Sequence, residues 1–215
     1  MFHLTCSLLA MTRLLSQNSE YLQQLFAKVL WIGGATDAGK TSVARVLGEH
    51  FNWPLYEYDR TDLYHHTLLA HLLPDEYSSF MNATMDERWI NPTPDVLLQR
   101  SLDSFEQRFR FVAEELRAWT LPKNGKMIVE GFGLTPALLA PLLSSSHQAI
   151  FLIPTEAFKK ALMEQRGKPA FAKETSYPAK AKQNLLERDL LLARHIQEQA
   201  QRHGLQVVEV DVSYS

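Results

Sequence analysis

The chain has little cysteine, no excess of positive charge and no long apolar run. Cys6 is the single cysteine among 215 residues, which excludes an internal disulfide and a metal site made only of cysteines. The formal net charge of -2 at pH 7 argues against general nucleic-acid binding, which needs a densely positive surface. The apolar residues 1–11 are too few to span a bilayer and lack an early basic region. We therefore expect a cytoplasmic protein without nucleic-acid or membrane partners.

The length of the chain suits one domain, residues 1–215, with a sizeable core. Nothing in the composition indicates repeats or extended low complexity. We interpret the residues before Lys28 as a helix packed on this domain, and a cryptic export signal is the alternative. The sequence indicates no particular oligomeric state.

One stretch near the amino end fits the pattern G-x-x-x-x-G-K-[ST] at every fixed position. It reads Gly34-Ala35-Thr36-Asp37-Ala38-Gly39-Lys40-Thr41. The apolar run 28–32 before it predicts a buried strand, and the helical spacing of Val43, Val46, Leu47 and Phe51 predicts a helix that begins near Lys40. Strand, loop and helix in this order favour a loop that binds the phosphates of a nucleoside triphosphate.

The residue types in this loop suit an anion. Small side chains let backbone N–H groups curve around phosphate oxygens, and the following helix adds positive potential at its N-terminus. We expect Lys40 to reach the outer phosphates and the Thr41 hydroxyl to bind the Mg²⁺ that bridges them, with Ser42 completing the nucleotide site.

Five apolar runs predict strands that alternate with helices, which is typical of a parallel sheet covered by helices. The runs are 28–32, 54–58, 126–130, 148–153 and 206–210. Residues 94–119 predict a long helix with one apolar stripe that faces the core. After the fourth strand, Arg166-Gly167-Lys168-Pro169 breaks a helix and leads into 170–181, which is poor in large aliphatic residues. A further helix is predicted over 184–203, ended by Gly204.

Together these features resemble the P-loop kinases of nucleotides and small metabolites, over nearly the whole chain. That group includes nucleoside monophosphate kinases, uridine-kinase-like enzymes, shikimate kinase and chloramphenicol phosphotransferase. The resemblance implies an α/β fold, a three-layer α/β/α P-loop NTPase with a five-stranded parallel sheet in the order 2-3-1-4-5. It also implies a helical acceptor-binding insertion at 60–120 and a lid at 166–184.

The resemblance assigns roles to two acidic residues that follow predicted strands. Asp59, after the second strand, matches the carboxylate that orients or deprotonates the acceptor hydroxyl; capping of the next helix by Asp59 or Asp62 is the alternative. Glu130, after the third strand, departs from the more usual aspartate and can support Mg²⁺, contact substrate or cap a helix. Gly131 beside it would let backbone approach the ligand.

Arginines clamp the transferring phosphoryl group in such kinases, and Arg188 and Arg166 are placed for this role, with surface ion pairing as the alternative. Acceptor recognition would come from Arg60, Arg88 and Trp89 in the insertion. Val212, after the last strand, would lie against the adenine. We interpret three histidines of the insertion, His65, His66 and His71, as ordinary rather than metal-binding.

The sequence thus predicts an ATP-dependent phosphotransferase that moves the γ-phosphoryl group to a small-molecule acceptor, with Mg²⁺ as its cofactor. The acceptor can be a nucleoside, a nucleotide or a hydroxylated metabolite. One alternative is a nucleotide-dependent regulatory ATPase or switch that binds a macromolecular partner. Another is a degenerate kinase that binds ATP without turnover.

Overall fold

A five-stranded, all-parallel sheet lies at the centre of the molecule. The computed structural model describes residues 19–74, 77, 82–119 and 125–211. The strands run β2-β3-β1-β4-β5 across the sheet, which confirms the predicted order. They are β1 Val29–Gly34, β2 Leu55–Glu57, β3 Met127–Glu130, β4 Ala149–Pro154 and β5 Gln206–Val210.

The first strand extends further than its apolar run predicts. It ends at Gly34 rather than Ile32, because Gly33 and Gly34 pair in register with Phe151 and Leu152 of β4. A Cβ on Gly34 would lie 2.1 Å from the Leu152 carbonyl oxygen, and the φ of Gly34 is 123°. Only glycine satisfies both conditions.

Side chains on the three central strands alternate between two apolar layers, as the pleat requires. Trp31, Val129 and Phe151 belong to the larger core. Ile32, Ile128 and Leu152 belong to a smaller one on the other face. Apolar layers on both faces explain why these strands are rich in large apolar residues, and the arrangement is consistent with three layers, α/β/α.

The helices are described in chain order. They are α1 Ser19–Leu25, α2 Lys40–Phe51, α3 Tyr58–Leu72, α4 Met85–Trp89, α5 Pro94–Ala118, α6 Pro136–Leu139, α7 Glu156–Gln165 and α8 Pro178–Arg202, with 3-10 turns at Ala140–Leu142, Ser146–Gln148 and Ala170–Glu174. Within the described residues, α3, α4 and α5 form the insertion predicted between the second and third strands.

The two long helices, α5 and α8, form as predicted but differ from the prediction at one end. In α5 the apolar stripe is buried through Phe105, Phe109, Val112 and Leu116, whereas Trp119 beyond its end is 41% exposed. In α8 the helix begins at Pro178 rather than at residue 184. The last part of the predicted lid is therefore helical, and residues 166–177, named here the 166–177 segment, connect α7 to α8.

The helix predicted before Lys28 is present as α1, whose Leu22 is buried in the larger core. The rest of that prediction, residues 1–18, lies outside the described residues. Among the described helices, none is both long enough and apolar enough to cross a membrane.

Candidate nucleotide and acceptor site

Residues 34–41, named here the glycine loop, join β1 to α2 at the carboxyl edge of the sheet. The loop turns sharply because Gly39 and Asp37 adopt left-handed backbone conformations, with φ values of 77° and 61°. Gly39 precedes the first turn of α2 without any side-chain cap, so the N–H groups at this helix end are left for another acceptor. An anion is the natural partner for such a helix terminus.

The side chain of Lys40 lies across the glycine loop. Its Nζ donates a hydrogen bond to the Ala35 carbonyl oxygen at 2.6 Å, and the residue is only 6% exposed. Burial lowers the pKa of Lys40, while Asp59 and Glu130 act in the opposite direction. A lysine held between the loop and two carboxylates is positioned to meet phosphate oxygens bound in the loop.

Thr41 and Glu130 are brought together by the packing of α2 against β3. The Thr41 hydroxyl donates to Glu130 Oε1 at 3.0 Å. The second oxygen, Oε2, is buried and accepts no hydrogen bond from the part of the chain that the structure describes. Burial raises the pKa of the Glu130 carboxyl, although the Thr41 hydroxyl opposes this shift. A hydroxyl beside a buried carboxylate oxygen suits Mg²⁺, which prefers oxygen ligands.

Asp59 lies at the neighbouring strand end, in the first turn of α3. Its Oδ1 accepts a hydrogen bond from the Phe132 backbone N–H at 3.3 Å. Desolvation raises the pKa of Asp59 above its usual value, and attraction to Lys40 works against that rise. The predicted residues Lys40, Asp59 and Glu130 therefore share one electrostatic environment at the edge of the sheet.

Asp37 in the glycine loop receives three cations. Its Oδ2 lies 2.7 Å from Lys159 Nζ, and its Oδ1 lies 2.9 Å from Arg166 Nη1 and 2.8 Å from Lys168 Nζ. Burial acts to raise the pKa of Asp37, but the hydrogen bonds and charges of Lys159 and Lys168 lower it to about 2. Arg166, which was predicted to clamp the phosphoryl group, therefore contacts the glycine loop through the carboxylate of Asp37.

Lys159 is a site residue that sequence reasoning missed. It lies on α7, is 2% exposed, and contacts Asp189 Oδ2 at 2.6 Å and Thr36 Oγ1 at 2.7 Å as well as Asp37. The available signal was its helical spacing: Lys159 is four residues from Met163, which is also buried. A lysine on the apolar face of a helix is a candidate for a buried charge with partners.

A cavity of about 1090 Å³ opens between the glycine loop and the insertion. It is bounded by Thr36 of the loop, by Phe132 next to Asp59, and by polar, charged and aromatic side chains of the insertion. Four arginines line it: Arg88, Arg100, Arg108 and Arg188. Its size suits a small molecule.

Two of the predicted arginines, Arg188 and Arg88, line this cavity, and a third, Arg60, does not. Arg188 lines it and is held by Ser101, whose Oγ accepts from Nη1 at 2.9 Å, while its Nε lies 2.8 Å from Asp189 Oδ1. Arg88 lines it too, next to Trp89, whose ring stacks on Phe171. Arg60 instead pairs with Glu57, has a 74% exposed side chain and is absent from the cavity lining.

Arg108 is a second residue that the sequence analysis missed. It is 2% exposed, pairs with Asp62 and lies over the rings of Tyr58 and Phe105. Asp62, weighed as a helix cap, is thus engaged by a buried guanidinium. The hint in the sequence is the position of Arg108 between Phe105 and Phe109 on the buried stripe.

The glycines after β3 make room for an aromatic ring. A Cβ on Gly131 would lie 2.4 Å from the Tyr58 Cβ, and one on Gly133 would lie 2.5 Å from the Tyr58 hydroxyl. We expected Gly131 to let backbone approach a ligand, and the atoms nearest to a Cβ at this position belong to Tyr58. The two glycines allow β3 to end against the first turn of α3, which carries Asp59.

Two further predictions concern the base contact and metal ions. Val212, predicted to lie against adenine, is outside the described residues. Across the described ranges, no group of three His, Cys, Asp or Glu side chains is arranged to hold a metal ion. His65, interpreted as ordinary, is buried between Phe111 and Glu115, whose Oε1 lies 2.9 Å from its Nε2.

Comparisons with known proteins assign no family. No family model matches the chain. No curated protein matches it either. One solved structure with similarity to this chain is that of an uncharacterized protein from Eubacterium ventriosum, with 14% sequence identity and a TM-score of 0.36 over 85% of this chain and 88% of that one.

Proposed function

We propose that this protein is an ATP-dependent phosphotransferase that moves the γ-phosphoryl group to a small-molecule acceptor. The observation that carries the proposal is the meeting of the glycine loop, the Thr41–Glu130 pair and Asp59 at one edge of the sheet. Open α/β sheets bind ligands beyond the carboxyl ends of their strands, which is where these groups lie. The site also suits the P-loop NTPase class and the kinase group that the sequence resembles.

The residues suit ATP and Mg²⁺ together. The uncapped N-terminus of α2 and the backbone of the glycine loop would hold the phosphates, and Lys40 would move from the Ala35 carbonyl to their oxygens. Mg²⁺, bound by Thr41 and supported by Glu130, would neutralise charge that develops on the phosphoryl oxygens. The buried Glu130 Oε2, which accepts no hydrogen bond from the described residues, would gain a partner in this way.

Asp59 would act as the base. It would take the proton of the acceptor hydroxyl while the acceptor oxygen bonds to the γ-phosphorus and the bond to the leaving oxygen of ADP breaks. Desolvation by its surroundings raises its pKa, and a raised pKa makes a carboxylate a stronger base near neutral pH. Arg188 at the cavity wall would face the charge that spreads over the transferring group.

The acceptor would lie in the cavity between the loop and the insertion. Its lining combines four arginines, the acidic residues Asp62, Glu87 and Asp103, and aromatic side chains, which favours a polar molecule with a ring. The cytoplasm, where ATP is abundant, is the compartment in which such an enzyme would act.

The test is a panel of nucleosides, nucleotides, sugars and other hydroxylated metabolites assayed for ADP release with Mg²⁺. Lys40→Ala provides the blank. We expect slow ATP hydrolysis by the wild-type protein that accelerates with one class of acceptor. Calorimetry that finds no heat with ATP or GTP in the presence of Mg²⁺ would overturn the proposal.

A regulatory ATPase or switch is the second candidate, favoured by the contacts of Arg166 and Lys168 with Asp37 in the loop. A nucleotide bound in the loop would compete for these cations and alter the 166–177 segment, as in order–disorder switches. Hydrolysis that responds to a macromolecule and to none of the metabolites would favour this candidate.

A further inference from the structure

We propose that Lys159 is a positioning residue that fastens the glycine loop to α8 and, through Asp37, to the 166–177 segment. We name Lys159, Asp37, Asp189 and Thr36 the loop clasp. Its role in nucleotide binding rests on the proposed function, whereas its role in holding the 166–177 segment does not.

The ammonium of Lys159 has a partner for each of its three N–H bonds. Nζ lies 2.7 Å from Asp37 Oδ2, 2.6 Å from Asp189 Oδ2 and 2.7 Å from Thr36 Oγ1. These partners come from the glycine loop and from α8, while Lys159 comes from α7. Three separate parts of the chain therefore meet at one buried charge.

The partners are also joined to each other. The Thr36 hydroxyl donates to Asp189 Oδ2 at 2.8 Å, so the loop contacts α8 directly as well as through Lys159. Asp37 and Asp189 both have side chains that are 5% exposed. Removing one charge from such a buried group leaves its partners uncompensated, which is more costly than removing an exposed pair.

The second oxygen of Asp37 extends the clasp to the surface. Oδ1 accepts from Arg166 Nη1 and from Lys168 Nζ, whose side chains are 51% and 47% exposed. Because Lys159 fixes the other oxygen, the carboxylate offers these two side chains a rigid anchor. The 166–177 segment is thereby held beside the loop.

This arrangement prepares the loop for an anion. Asp37 would by itself repel a triphosphate, but Lys159, Arg166 and Lys168 surround its carboxylate and offset its negative charge. A loop already fixed in its turn also loses less conformational freedom when a ligand binds. The clasp is therefore expected to strengthen nucleotide binding without touching the reacting atoms.

The nucleotide role is tested with Lys159→Met and a matched control, Lys160→Met. The two lysines are adjacent on α7, but the Lys160 side chain is 52% exposed and forms an ion pair with Glu156, one turn away. Both variants lose one positive charge. We expect Lys159→Met to weaken MgATP binding in calorimetry about tenfold, and Lys160→Met to leave it unchanged. Equal affinities in the two variants would overturn this part of the proposal.

The anchoring role is tested without nucleotide by Asp37→Asn. Asparagine keeps the shape and tolerates the left-handed backbone of this position. It removes the charge and replaces one of the two acceptor oxygens with an NH2 donor. Trypsin can cut after Arg166, whereas Lys168 precedes a proline. We expect cleavage after Arg166, measured well below the melting temperature, to be about tenfold faster in Asp37→Asn, since proteolysis follows the population of the open form.

The two measurements separate the possible failures. If wild-type protein binds no nucleotide, the proposed function fails, while faster cleavage in Asp37→Asn still supports the clasp. If wild-type protein binds MgATP and Asp37→Asn is cut at the wild-type rate, the clasp is wrong and the proposed function stands. Should Lys159→Met not fold, Asp37→Asn alone decides the anchoring role.

Discussion

Three carboxylates beside the glycine loop differ in pKa because their neighbours differ. Asp37 is surrounded by cations and its pKa is lowered to about 2. Desolvation raises the pKa values of Asp59 and Glu130, and it outweighs the opposing effects of Lys40 on both and of the Thr41 hydroxyl on Glu130. Carboxylates whose environments push their pKa values apart often have different tasks. Here the pattern suits a structural anchor in Asp37 and chemical roles for the other two.

We predict that Asp59→Asn abolishes phosphoryl transfer and leaves ATP affinity nearly unchanged. The amide cannot accept the acceptor proton, and removal of a general base lowers kcat by about 10²–10⁴. The measurement is kcat with the best acceptor, together with calorimetry of MgATP binding. Asp95→Asn, at an exposed position on α5, is the control. A variant that turns over at the wild-type rate would remove Asp59 from the mechanism.

We predict that Glu130→Gln makes the protein more stable and inactive. The folded-state pKa of Glu130 is raised above its ordinary 4.5, so the carboxyl costs the fold stability as pH rises through that raised value. Glutamine carries no such cost, and its carbonyl can still accept from Thr41. We expect a melting temperature about 2–4 °C higher near pH 8 and little difference near pH 4. A lower melting temperature at both pH values would contradict this account.

The residues of the glycine loop could be predicted because they match a short sequence pattern, G-x-x-x-x-G-K-[ST]. Gly34, Gly39, Lys40 and Thr41 are recognisable from spacing alone. Helical spacing hints that Lys159 is buried, but no local pattern shows its partners, which are more than 100 positions earlier in the chain or 30 later. Its burial depends on how α7 packs, which a single sequence does not state.

At the scale of elements, one side chain ties α8 to the insertion. Asn184 Nδ2 lies 2.9, 3.3 and 3.4 Å from the carbonyl oxygens of Trp89, Ile90 and Pro92. Those residues form the bend between α4 and α5. Asn184 is 6% exposed, so these hydrogen bonds are shielded from water. The bend therefore has a fixed position relative to α8, and with it the cavity wall that carries Arg88.

We predict that Asn184→Ala lowers the free energy of unfolding by about 2 kcal/mol, because it leaves shielded carbonyl oxygens without a donor. Urea denaturation measures the change. Gln183→Ala is the matched control, since Gln183 is exposed and its side chain donates a hydrogen bond to Glu187 on its own helix. Equal losses in the two variants would mean that water replaces the amide at the bend.

The elements themselves were predictable to different degrees. The strands are recognisable because central parallel strands are buried on both faces and therefore rich in large apolar residues. The start of α8 was predicted six residues late, since 178–183 contains no large aliphatic side chain and begins with proline. Proline is favourable in the first turn of a helix, and Ala181 alone supplies the buried contact there. The first turns of a helix can thus consist of residues with short or polar side chains. A search for a stripe of large apolar residues does not detect these turns.

At the scale of the whole molecule, the sheet order collects distant residues at one edge. Because β1 lies between β3 and β4, the glycine loop, Glu130 and the start of α7 lie at the carboxyl ends of three adjacent strands. Asp59 follows β2, the next strand outward. Once the strand order was inferred, the sequence could predict that these residues meet at one edge of the sheet. It could not predict the cavity, because its walls depend on how α4 and α5 pack against α8.

Acid stability tests the clasp in the intact protein. The folded-state pKa of Asp37 is lowered from 3.8 to about 2, so its ionisation stabilises the fold above pH 3.8, and this stabilisation is lost as pH falls toward 2. The difference corresponds to about 2 kcal/mol at pH 7, of which roughly half remains at pH 3. We predict that Asp37→Asn is less stable than wild type by this amount in urea at pH 7. The gap should narrow at pH 3, whereas a gap that does not depend on pH would show that the loss does not come from the charge of Asp37 and would contradict this account.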